Sequence, residues 1–220
     1  MEEMTMPMKI DKREYRRIEL MEVRAADDGQ KIVEGYATTF DQPYELFRDP
    51  DTNMIVREQV DRNAFAETDM RDVIMQYDHE GRVFARVKNH TLTLTPDDHG
   101  LHIRADLGGT EIGRQLYEEI DGGYTDKMSF GFTVAADRHE RFKDADGNNV
   151  LLRTITSIGK LFDVSAVSLP ANDATEISAR GISDGLITEA LKEIQAENER
   201  ERKIGEIRKL LKGETENHDA

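Results

Sequence analysis

The chain has 220 residues, no cysteine and no tryptophan, and a formal net charge of −15 from 30 basic and 45 acidic side chains. Without cysteine there are no disulfides, thiolate metal sites or thiol catalysis, a composition that fits a reducing compartment. The acidic balance argues against a nucleic-acid partner, since phosphate binding needs a basic footprint, and no apolar run approaches the ~20 residues of a membrane span. The length suits one domain with an appendage. Residues 1–17 mix acids and bases with no apolar stretch, so no secretory signal is expected and the protein reads as soluble and intracellular or particle-enclosed.

Three zones follow in chain order. Residues 1–30 are highly charged; Tyr15 to Val23 alternates partly and predicts a first strand, and Ala26-Asp27-Asp28-Gly29-Gln30 predicts a hairpin turn. Residues 31–182 carry recurrent strand signals at Ile32–Thr39, Val73–Tyr77, Val83–Val87, Thr91–Thr95, Leu101–Asp106, Ser129–Ala135, Val150–Ile158 and Leu161–Leu169. Thr91 to Thr95 alternates strictly, and the turn formers of Pro96 to Gly100 join it to Leu101–Asp106 as a hairpin. A helix is expected after Thr110, with Ile112, Leu116 and Ile120 on one face and Gly122-Gly123 as its stop. A shorter helical piece is expected from Asp61 through Ala64 and Phe65. Residues 183–220 place Ile187, Leu191 and Ile194, then Ile204, Ile207 and Leu211, at helical spacing around a fully charged middle. That is an amphipathic helical tail, disordered from Gly213, which either packs on the domain or serves assembly. Antiparallel strands with few helices make the expected class mainly β with helices (α+β).

Among the six histidines, His99 and His102 read as hairpin-loop and strand residues rather than metal ligands. Asp144 to Asn149 has its glycine at the wrong position for a calcium loop and reads as a polar hairpin turn. His79 differs: it ends the strand-like run Val73 to His79 beside a carboxylate, where a general base can reach substrate. Ser129 lies where a loop becomes a strand, next to a Gly131 small enough for close backbone approach. Asp163 interrupts the apolar strand Leu161 to Leu169, sharing a face with Leu161, Ser165 and Val167. A carboxylate there is costly unless a donor such as an imidazole meets it. Each of the three also suits an ordinary strand-end or strand position.

Glu34-Gly35-Tyr36-Ala37, Tyr77-Asp78-His79-Glu80, Met128-Ser129-Phe130-Gly131-Phe132, Leu161-Phe162-Asp163-Val164-Ser165 and Leu169-Pro170-Ala171-Asn172 are individually weak motifs. In this order and spacing, over residues 31–182, the chain resembles the HK97-type phage prohead serine proteases, capsid maturation enzymes related to herpesvirus assemblin. The resemblance implies a closed antiparallel β-barrel wrapped by helices. It implies Ser129 as nucleophile, His79 as base and Asp163 as third member, where the herpesvirus enzymes have a second histidine. It places the oxyanion hole at Ala171 and Asn172, without the arginine pair of the herpesvirus pattern. No cofactor or metal is required. The implied partners are the major capsid protein with its scaffolding segment and the protease itself, by autoproteolysis; a homo-oligomer is open. The implied location is the interior of the immature prohead, in the host bacterial cytoplasm. The rival reading is a non-enzymatic capsid assembly or scaffold protein with the same fold.

Overall fold

The computed structural model describes residues 13–22, 24–25, 31–50 and 52–167, together with positions 192, 196, 199, 200, 202–204 and 206. The strands are β1 (Glu14–Glu22), β2 (Arg24–Ala25), β3 (Ile32–Thr39), β4 (Tyr44–Arg48), β5 (Ile55–Val60), β6 (Ile74–Tyr77), β7 (Glu80–Arg86), β8 (Leu92–Pro96), β9 (Gly100–Asp106), β10 (Lys127–Lys143) and β11 (Asn149–Val167). Helix α1 spans Glu111–Asp121; the Thr110 side chain caps it by accepting from the Gly113 N–H, and Gly122 closes it, as its sequence predicts. Its Leu116 and Ile120 are buried.

Seven strands form one sheet in the order β1-β10-β11-β5-β4, with β6 joining β11 to β7. Four form a second, β2-β3-β9-β8. The chain passes from one sheet to the other between β1 and β2, which a single residue separates. Met128, Phe130, Phe132, Val164, Ala166 and Met75 of the larger sheet pack against Val33, Ala37, Leu101, Ile103 and Ala105 of the smaller, in one core shared with α1. The Phe130 and Phe132 rings lie 4.5 Å apart within it.

The closed antiparallel barrel expected from the resemblance is therefore corrected. Closure needs a continuous ladder of backbone hydrogen bonds between the two sheets, but among the described residues they meet by side-chain packing and an isolated bridge of Phe40, just past β3, with Val60 of β5, and no closed barrel is found. Nor is the pairing all antiparallel. Strand β11 runs parallel to β5 through Val150–Ile155 and then parallel to β6 through Asp163–Ala166. The two strands expected over Val150–Ile158 and Leu161–Leu169 join as this one strand across Gly159-Lys160. Residues 61–73 bridge its two partners as successive turns, not the helix expected from Asp61. Ala64 and Ala66 donate to carbonyls three residues back, while the Ile158 N–H takes the Ala64 carbonyl at 2.9 Å, so the segment is held by β11 instead of by helical bonds.

The β8–β9 hairpin forms as expected, and so does the β10–β11 hairpin, whose turn Asp144 organises by accepting from the backbone N–H groups of Asp146 and Asn148. The expected turn at residues 26–30 lies outside the described residues, though β2 and β3 on either side of it pair antiparallel. The described tail positions are helical and exposed, with Glu199–Lys203 and Arg202–Glu206 ion pairs one turn apart.

Strand β1 is fastened to the larger sheet by a buried charge network. The Arg16 guanidinium donates to Glu58 and, at 2.5 Å, to Glu14; Arg153 donates to Glu14 at 2.8 Å and to Glu58 at 2.9 Å; the Tyr44 hydroxyl donates to Glu58 at 2.6 Å. Burial alone would raise the Glu58 carboxyl, but Arg16, with Arg153 and Tyr44, holds it below its ordinary value. A carboxyl lowered by folding adds stability above its unfolded pKa and loses it as the pH falls through the folded value. Glu58→Ala should cost about 3–5 kcal/mol at neutral pH, because two buried guanidinium groups lose a shared carboxylate and keep Glu14 as the buried anion between them. Urea midpoints should show a smaller deficit in strong acid, where the wild type has lost the same charge.

Candidate active site

Two adjacent strands and one tight turn build the site. On β10, Met128, Phe130 and Phe132 enter the core, so Ser129 and Gly131 point to the opposite face; on β11, Val164 and Ala166 do the same for Asp163 and Ser165. Ser129 pairs with Ser165 and Gly131 with Asp163 across the ladder, placing serine and carboxylate on a diagonal. His79 comes from the two-residue turn Asp78-His79 between β6 and β7. Both residues have positive φ, 48° and 62°, as primed hairpin turns require. For a histidine this is an uncommon conformation, and such strain persists only where the surroundings fix it. Here they do: the Asp78 N–H donates to the Ala166 carbonyl at 3.0 Å, and both nitrogens of the His79 ring are engaged.

The imidazole bridges the other two groups. Its Nδ1 lies 2.5 Å from Asp163 Oδ1, and its Nε2 lies 2.5 Å from Ser129 Oγ. Ser129 and Asp163 are buried at 0% and 1% exposure, so these hydrogen bonds lie in low dielectric, where they are strong. The Ser165 hydroxyl donates to the same Asp163 oxygen at 3.1 Å, and Ser129 Oγ also lies 2.8 Å from the Arg16 carbonyl. Gly131 serves a closer purpose than approach to the serine: a Cβ there would sit 2.4 Å from Asp163 Oδ2 and 2.8 Å from the Tyr15 ring. Only glycine leaves room for both.

The structure thus brings His79, Ser129 and Asp163 together, while Ala171 and Asn172 lie outside the described residues. His99 and His102 flank the Tyr36 ring at 4.5 and 5.2 Å. Among the described residues no group of three or more His, Asp or Glu is placed to hold a metal ion, and no helix is long and apolar enough to cross a membrane. Sequence reasoning passed over Ser165 as a partner of Asp163, although the two share a strand face, and over the contribution of β1. Nothing local in residues 13–16 signals that contribution, because it depends on pairing with a strand more than 100 residues away.

Serine hydroxyl, imidazole and carboxylate in one hydrogen-bonded line is the constellation of the serine hydrolases. The family model of the caudovirus prohead serine proteases matches residues 18–187, a span containing all three groups, and the chain belongs to that family. No curated protein and no solved structure matches the chain.

Proposed function

We propose that this protein matures the phage prohead by cutting the scaffolding part of the major capsid protein and then itself, with Ser129 as nucleophile, His79 as general base and Asp163 as the orienting carboxylate. The observation that carries this reading is the His79 ring seated between Ser129 Oγ and Asp163 Oδ1 at 2.5 Å from each. The Ser129 proton passes to Nε2 as Oγ attacks the scissile carbonyl carbon, and the resulting imidazolium gives that proton to the leaving amine. Asp163 keeps the Nδ1–H tautomer and stabilises the imidazolium. Water then repeats the sequence on the acyl-enzyme, freeing the new carboxylate and restoring Ser129. We assign the oxyanion donors to the Ala171 N–H, with that of Asn172, on the motif resemblance alone. A donor of this kind is worth roughly 3–4 kcal/mol of transition-state stabilisation.

The likeness to herpesvirus assemblin, the site of action inside the immature shell in the host cytoplasm, and self-cleavage all belong to this proposal and rest on the motif order. Co-expression with the cognate major capsid protein, followed by intact-mass measurement, tests it. Both proteins should shorten, and a fluorophosphonate probe should block shortening and label the peptide containing Ser129. Shells that form around a full-length capsid protein, with no labelling, would favour the rival scaffold protein.

A further inference from the structure

Strand β1 and the residue just before it, Arg13, together touch Ser129, His79 and Asp163 within four residues. The Arg13 guanidinium stands 3.8 Å from Asp163 Oδ2, the Tyr15 ring meets the His79 ring edge-on at 4.5 Å, and the Arg16 carbonyl lies 2.8 Å from Ser129 Oγ. All three residues precede residue 18, where the family match begins. The placement is rigid, because Glu14 and Arg16 are tied into the buried charge network with Glu58 and Arg153.

The contacts of Arg13 and Tyr15 each answer a specific need. Asp163 Oδ2 is buried and has no hydrogen-bond partner among the described residues, an expensive state for an ionised oxygen out of water. The Arg13 guanidinium is the cation facing it; it stacks over Phe162 at 3.8 Å and donates to the Tyr15 hydroxyl at 3.3 Å, so its head group is itself held. His79 hangs from a two-residue turn, and its ring lines up with both partners at one orientation only. The Tyr15 ring, packed against the space that Gly131 leaves open, blocks rotation away from it.

We propose that Tyr15 and Arg13 are positioning residues of the active centre: Tyr15 holds the His79 ring in line with Ser129 and Asp163, and Arg13 balances the buried Asp163 oxygen. The inference rests on the Ser129–His79–Asp163 reading given above. It makes the N-terminal strand part of the catalytic apparatus, although that part of it lies outside the span common to the family.

The test uses the full chain and the rate of fluorophosphonate labelling, with Ser129→Ala as control. Arg13→Gln should label about tenfold more slowly and Arg13→Lys should recover most of the rate. Tyr15→Ala should lose at least tenfold and Tyr15→Phe stay within twofold of wild type. In an Asp163→Asn background, Arg13→Gln should have no further effect, since its role runs through that carboxylate; a merely structural role would persist there. The downfield proton resonance of the His79 Nδ1–H, which needs no turnover, should weaken in Arg13→Gln and Tyr15→Ala and remain in the conservative variants. A wild-type rate and resonance in Arg13→Gln, or an undiminished effect of it beside Asp163→Asn, would overturn the role of Arg13. Wild-type behaviour of Tyr15→Ala would overturn that of Tyr15. Labelling of Ser129→Ala at the wild-type rate would instead overturn the triad reading itself.

Discussion

Ser129→Ala should abolish proteolysis, by a factor on the order of 10⁶ if the triad acts as a unit, while leaving the fold in place. The two effects should separate because Oγ contributes little to the fold. Its contacts are the His79 Nε2 and the Arg16 carbonyl, and removing one hydroxyl from these costs about 1 kcal/mol. The backbone ladder of Ser129 with Arg17 and Ser165 does not involve the side chain. Co-expressed capsid protein should therefore stay full length with the variant, while the purified variant keeps its thermal midpoint to within a few degrees. Retained cleavage would refute the nucleophile assignment. A large loss of stability would show that the hydroxyl is structural.

Asp163→Asn should reduce the rate by about 10⁴-fold, and the surroundings say why. If the amide oxygen stays on the Oδ1 position, it still accepts from His79 and Ser165, but the NH₂ group then occupies the dry Oδ2 site facing the Arg13 cation with nothing to donate to. If the amide turns over, its N–H groups face Nδ1 and force the imidazole into the tautomer that carries its proton on Nε2. That tautomer cannot accept from Ser129. Neither rotamer preserves both the hydrogen bonds and the charge. Labelling kinetics should show the loss, and a rate within tenfold of wild type would mean that His79 is oriented by something other than this carboxylate.

The three residues of the candidate site were legible because each breaks a local rule. Asp163 stands mid-strand among apolar neighbours, Ser129 heads an alternating run, and His79 sits where a strand must turn. Helix α1 was legible through its cap and stop. Strand β5 was missed for a definite reason. The buried positions of β5 include Glu58, whose charge spoils the apolar alternation that marks a strand and is compensated only by Arg16 and Arg153 from elsewhere in the chain. The parallel pairing of β11 with two strands in succession, and the two-sheet packing in place of a barrel, depend on register between distant segments. Alternation within each strand fixes which face is apolar but not which neighbour it meets.

The turn at Asp78-His79 holds the imidazole on a short tether, and the β6–β7 register slips only beyond it, between Met75 and Tyr77. A two-residue connection is the shortest that an antiparallel pair allows, and here Tyr77 opposes Glu80 directly across it. One residue inserted beside His79 would shift the pairing of β6 with β7 or swing the imidazole off the line between Ser129 and Asp163. Substitutions on most of the surface change only local chemistry, but a change of length at this place changes where the His79 imidazole sits. An insertion between Tyr77 and Glu80 should therefore cost far more activity than one of the same length in an exposed loop, which fluorophosphonate labelling of the two insertion variants would check.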